Sequence, residues 1–126
     1  MATLTPCLDS FMPLTPFLEN IKNNTAVSFD ETIAAITANY HYQPTEFSNG
    51  LGELVNKAGT NEGSCRIFAF AKLHGLNPQQ TLNLFGDFYR RDVLNNPDGG
   101  DHQNIRLFMR YGWEGIAFSG VALTPR

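Results

Sequence analysis

The stretch "SCRIFAFAKL", residues 64–73, constrains the fold more than any other, because its apolar residues fall on nearly every side of a helical wheel. A helix of that kind cannot lie on a surface, so other elements must wrap around it. With 126 residues, 42% hydrophobic and 12% aromatic, the chain has the size of one domain and enough apolar material for one sizeable core. Tyr40, Tyr42, Phe68, Phe70, Phe85, Phe88, Phe108 and Trp113 fall at helical or alternating spacing and read as core rather than as a stacking platform. The indole N–H of Trp113 needs a partner if it is buried.

Periodicity and capping give the covering elements. Thr15 as N-cap and Pro16 as first helical residue open a helix with Phe17, Leu18 and Ile21 on its face, ending near Asn23 and Asn24. In "SFDETIAAITANY", Ser28 and Glu31 form a capping box, and Phe29, Ile33, Ile36 and Tyr40 recur at helical spacing. From Tyr40 to Gly59 the periodicity fails among Pro44, Asn49-Gly50, Gly52 and Gly59, which leaves loop and one short strand at 41–47. Asn77, Pro78 and Gln80 start a long helix faced by Leu82, Phe85, Tyr89 and Val93 that ends before Asn96-Pro97. Gly86 within it implies that another element packs closely there. "NPDGGD" is a turn, a last helix runs from 102 to about 111, and "GIAFSG" is an extended stretch able to pair as a strand. The expected class is α+β, mainly helical, with about five helices around a central buried helix and a two- or three-stranded β piece. It occupies residues 14–126 as a single domain, after a flexible Thr/Pro-rich tail at 1–13.

Charge and motif content narrow the function classes. The net charge is -3 and the nine Lys and Arg are scattered, so nothing neutralises a phosphate backbone and no nucleic-acid partner is expected. The first Lys is Lys22, and Pro6, Pro13 and Pro16 interrupt the start, so no Sec signal peptide is expected. The longest purely apolar run, Ile67 to Ala71, falls far short of the roughly 18 residues of a membrane span, so a soluble chain without a membrane partner is expected. Cys7 lies in the tail and Cys65 far from it, which points to free thiols and a cytoplasmic, reducing compartment. His41, His74 and His102 are far apart and neither H-x-x-x-H nor C-x-x-C occurs, so no metal and no cofactor are expected. A monomer or small homo-oligomer is expected.

Two stretches carry candidate chemistry. In "GGDHQNIR", Asp101 as N-cap accepts from the Gln103 or Asn104 backbone N–H and puts His102 at the first helical position. The core stripe Ile105, Phe108, Met109 and Gly112 leaves His102 at its buried margin, with Arg106 one turn on and Gln103 and Arg110 outward. An imidazole beside a carboxylate and near a guanidinium suits a general base or an anion site. The same residues also suit a plain helix cap with a structural histidine. In "TNEGSCRIF", Ser64 or Asn61 caps the central helix, which leaves Cys65 in its first turn, where the dipole and unpaired N–H groups would stabilise a thiolate. Gly63 allows close backbone approach to a phosphate or carboxylate. The alternative is Cys65 as a small buried hydrophobe. The candidate catalytic set is therefore Cys65, His102 and Asp101, and the candidate ligand-binding set is Asn61, Ser64, Gln103, Asn104 and Arg106.

The blocks "SFDETIAAITANY", "AGTNEGSCRIFAFAKLHGL", "LFGDFYR" and "NPDGGDHQNIRLFMRYGWEGIAF" together resemble the HopJ family of type III effector proteins over about residues 14–120. Asn61, Gly63, Ser64, Cys65, Asp101, His102, Gln103, Asn104, Arg106, Gly112 and Trp113 match its motif blocks, and Arg66 stands where Lys would serve as well. The resemblance implies a small stand-alone domain, named after proteins that plant-pathogenic bacteria deliver into host cells. It brings no catalytic residues to carry over. Two functions stay open. One is an effector that acts by binding a protein partner, with no well-formed polar pocket. The other is a small anionic-ligand binder, or a hydrolase- or transferase-type enzyme, with Cys65, His102 and Arg106 converging where the central and last helices begin.

Overall fold

The helix over residues 62–73 is enclosed as its composition requires. In a computed structural model describing residues 13–126, Cys65, Ile67, Phe68, Ala69, Phe70 and Ala71 of α3 (Glu62–Leu73) are all buried. Phe68 meets the rings of Phe47, Phe85, Phe108 and Trp113 at 5.8, 5.4, 5.0 and 6.3 Å, while Phe70 meets Phe17 and Tyr40 at 6.1 and 5.9 Å. These rings come from elements on several sides of α3, so one hydrophobic core is built around a single helix. The Trp113 indole N–H donates to the Leu76 carbonyl at 2.9 Å.

In chain order the elements are α1 (Leu14–Lys22), α2 (Phe29–Asn39), β1 (Tyr40–Tyr42), β2 (Phe47–Asn49), β3 (Leu54–Asn56), α3 and α4 (Pro78–Asn83). A π-helical segment (Phe88–Val93), α5 (Gln103–Tyr111), a 3-10 turn (Gly112–Gly115), β4 (Ala117–Phe118) and β5 (Leu123–Pro125) complete them. β1 pairs with β5, and β3-β2-β4 form a second antiparallel sheet with Phe47 opposite Asn56 and Phe118. The fold is α+β and mainly helical. Among the described residues no helix is long and apolar enough to cross a membrane. The tail expected at 1–13, with Cys7, lies outside the described residues except for Pro13.

Several local readings change. Thr15 does not cap α1: the helix begins at Leu14 after Pro13, and no side chain caps it. Pro16 fits inside the first turn because the N–H it lacks would have had no helical partner there. The Ser28–Glu31 box forms with both bonds at 3.0 Å, and Asn77 and Gln80 form a second one at 2.8 and 2.9 Å. The stretch read as one strand at 41–47 holds β1 and the start of β2, with β3 beyond. Strands of three residues are too short for alternation to register.

The long helix expected after Pro78 stops at Asn83. Gly86 takes φ +62°, and a Cβ there would lie 2.5 Å from the Phe29 backbone nitrogen. The start of α2 therefore passes over Gly86, and the chain turns before resuming as the π-helical segment. Arg90 ties that segment down by donating to the Val27 carbonyl at 2.5 Å and to Asn83 Oδ1 at 2.7 Å.

Candidate functional site

The start of α5 differs from the expected Asp101 cap. His102 is the N-cap, in the left-handed region at φ 50°, ψ 48°, and its carbonyl accepts from the Ile105 and Arg106 N–H groups at 3.0 and 3.1 Å. Asp101 is drawn away by Arg106, whose guanidinium donates to the Asp101 carboxylate at 2.7 Å and to the carbonyls of Asp101, Asn96 and Pro97 at 2.6, 2.8 and 3.3 Å. The Arg106 guanidinium also holds the Asp101 carboxyl below the usual carboxylate range. Gly99 leaves room for it, since a Cβ there would lie 2.7 Å from Arg106. Arg106 thus clamps the "NPDGGD" turn and fixes the angle at which the chain enters α5.

The His102 ring is 28% exposed; its Nε2 lies 3.1 Å from Asp92 Oδ2 and 3.9 Å from Asp101 Oδ2. Its ring also rests against Phe88 at 5.2 Å between centroids. Phe88 and Asp92 both belong to the π-helical segment, a rare geometry that recurs at functional sites. Asp92 was not foreseen, because read as one continuous α-helix the 78–95 region offers Asp92 only as a solvated polar position.

At the start of α3, Asn61 is also left-handed (φ 49°) and makes no side-chain cap; neither Ser64 nor Asn61 caps the helix. Its Nδ2 instead donates to Asn56 Oδ1 at 2.7 Å, an oxygen that also accepts from Asn104 Nδ2 at 2.9 Å. Asn104 Oδ1 accepts from Asn49 and Asn56 at 3.0 and 3.1 Å, and the Asn104 carbonyl accepts from Asn49 at 2.9 Å. Asn49, Asn56 and Asn104 are buried, so this amide network locks β2, β3 and the two helix starts into one unit. Each left-handed non-glycine residue costs about 1–2 kcal/mol, which the network and the Arg106 clamp offset. Asn49 and Asn56 were missed because Asn in a Gly-rich stretch reads as turn chemistry.

The two helix starts open onto one cleft of about 480 Å³. Asn61, Gly63, Ser64, His102, Gln103 and Asn104 line its polar side, and Phe29, Phe85 and Phe88 line its apolar side. The helical bonds begin at the Cys65 and Ile105 N–H groups, so the N–H groups of Gly63, Ser64, Gln103 and Asn104 lack helical partners, and no side chain caps either start. The structure thus brings Asn61, Ser64, His102, Gln103 and Asn104 together, and leaves Cys65 and Arg106 out of that lining. Arg106 instead borders a neighbouring groove with Leu94 and Met109.

Cys65 sits elsewhere. It is buried, its Sγ donates to the Thr45 carbonyl at 3.4 Å, and burial pushes the thiol pKa up rather than down. The expected activation fails because the helix start alone does not outweigh desolvation by the core. Its neighbour Tyr42 donates to Glu62 at 3.1 Å and lies under the Arg66 guanidinium at 4.0 Å, and its pKa is raised chiefly by burial. Among the described residues, no group of three or more His, Cys, Asp or Glu side chains could hold a metal ion.

Comparison with known proteins gives the chain a family. The crystal structure of the unknown-function protein VPA0580 superposes with a TM-score of 0.88 at 46% identity, covering 92% of this chain and 96% of that one. No curated protein matches. A family model described as HopJ type III effector protein matches residues 14–123, the span that holds α1 to α5 and every residue of the cleft. This chain belongs to the HopJ type III effector protein family.

Proposed function

We propose that this HopJ-family effector works through the cleft between the starts of α3 and α5, which takes a small ligand bearing a carboxylate or phosphate group. The His102–Asp92 pair beside two uncapped helix starts carries this reading. The first-turn N–H groups of Gly63, Ser64, Gln103 and Asn104 favour an anionic acceptor, and the Phe29, Phe85 and Phe88 rings favour an apolar remainder. The nearby carboxylates are engaged elsewhere: Asp101 pairs with Arg106, Asp92 with the imidazole, and Glu62 in the first turn of α3 accepts from the Tyr42 hydroxyl. Cys65 takes no part in this reading, so it is one of ligand binding and not of nucleophilic catalysis.

Titration of the ¹⁵N-labelled protein with phenyl phosphate tests it. Saturable shifts should centre on the amides of residues 63, 64, 103 and 104 and weaken in His102→Ala. Shifts that do not saturate, or that map away from those amides, would overturn it. A second reading, binding of a protein partner, is favoured by an apolar groove of about 420 Å³ at the far end of α3, flanked by exposed Leu73 and Val121. Leu73→Glu separates the two, since it should leave phenyl phosphate binding intact.

A further inference from the structure

The Asp92 contact fixes more than the position of His102. An ionised carboxylate can only accept, so the Nε2 that faces it at 3.1 Å must carry the hydrogen. A neutral imidazole has a single N–H, which leaves Nδ1 as a bare acceptor. His102 lines the cleft, and neither Asp92 nor Asp101, the two carboxylates nearest Nε2, belongs to that lining. Nδ1 makes no hydrogen bond with any of the described residues. The charged groups around the ring are Asp92, Asp101 at 3.9 Å, and Arg106, which acts through Asp101; Phe88 covers one face.

We propose that Asp92 is a positioning residue that holds His102 as the Nε2–H tautomer and presents Nδ1 to the cleft as a hydrogen-bond acceptor. This rests on the cleft reading above and narrows its ligand class. The best-suited ligand adds a hydrogen-bond donor next to its anionic group, because Nδ1 and the Gln103 and Asn104 N–H groups belong to consecutive residues. A 2-hydroxycarboxylate with an apolar side chain is such a ligand: its carboxylate faces the N–H groups, its hydroxyl donates to Nδ1, and its side chain packs on the Phe29 and Phe88 rings.

The test has a ligand-free arm and a ligand arm. Long-range ¹H–¹⁵N correlation spectra of the wild-type protein, at a pH where the ring is neutral, should show protonated Nε2 and bare Nδ1 for His102. In Asp92→Ala the ring should move toward a mixture of tautomers. 3-Phenyllactate and 3-phenylpropionate differ only by the hydroxyl, so the hydroxy acid should bind about three- to tenfold more tightly to the wild type. That gap should close in Asp92→Ala, the ratio of the two affinities within each variant being the readout. A wild-type Nδ1–H tautomer, or equal affinities for the two acids, overturns the positioning role while leaving the cleft reading in place. Failure of both acids and of phenyl phosphate to bind overturns the cleft reading and the ligand class with it.

Discussion

At the scale of single residues, the histidines show how placement decides chemistry. His74 ends α3, with its Nε2 2.5 Å from the Tyr40 hydroxyl and its ring packed on Phe70 at 4.6 Å. Burial, aided by the Lys22 charge, lowers its pKa below the ordinary 6.5. In the unfolded chain this imidazole takes its proton near 6.5, while the folded chain resists it to lower pH. The unfolded state therefore binds more protons in that window, and stability falls as pH drops below about 6.5 until the folded pKa is passed. Urea unfolding at pH 7, 6 and 5 should show this loss, and His74→Gln should flatten the slope. An unchanged slope in His74→Gln would place the proton uptake elsewhere. At this scale His102 is half-buried, but not through the helical spacing that suggested it. It is the left-handed N-cap outside α5, and the buried face of that helix is Asn104, Ile105, Leu107 and Phe108, with Met109 exposed. The sequence did not reveal Asp92 as the partner of His102, since that contact depends on how the π-helical segment meets α5. Nor did it reveal the amide network, in which Asn49, Asn56 and Asn104 come from three elements distant along the chain.

Elements were legible where local chemistry suffices. The two capping boxes and the all-apolar α3 are short-range signals, and both appear as read. Helix continuity is different, because it depends on what passes overhead. Leu82, Phe85, Tyr89 and Val93 do face the core, yet the helix carrying them breaks where α2 crosses Gly86. The glycine was a signal of close approach, but hydrophobic spacing survives the break and hides it. Gly86→Ala should therefore destabilise the fold by at least about 2 kcal/mol, combining left-handed strain with displacement of the α2 start. Thermal unfolding reads this out, and a cost below about 0.5 kcal/mol would mean that the crossing is loose. Because the same α2 start supplies Phe29 to the cleft, a variant that folds should also show altered phenyl phosphate binding.

Considered as a whole molecule, the chain divides its work between a core and a set of starts. Among the described residues the core runs in sequence from Phe17 to Leu123, within the span matched by the family model. The cleft uses what that core leaves over: two helix starts and the side chains that reach them. Export asks for something else, a segment that can be read without disturbing the core. Residues 2–12 contain no Lys or Arg. If the family's delivery applies here, deleting residues 2–12 should abolish secretion from a type III-competent strain while Tm and phenyl phosphate binding stay at the wild-type level. Secretion that survives the deletion would move the signal into the folded part, where it would have to be recognised as a surface. A drop in Tm would show that the segment packs on the core, and secretion loss could then no longer be assigned to a linear signal.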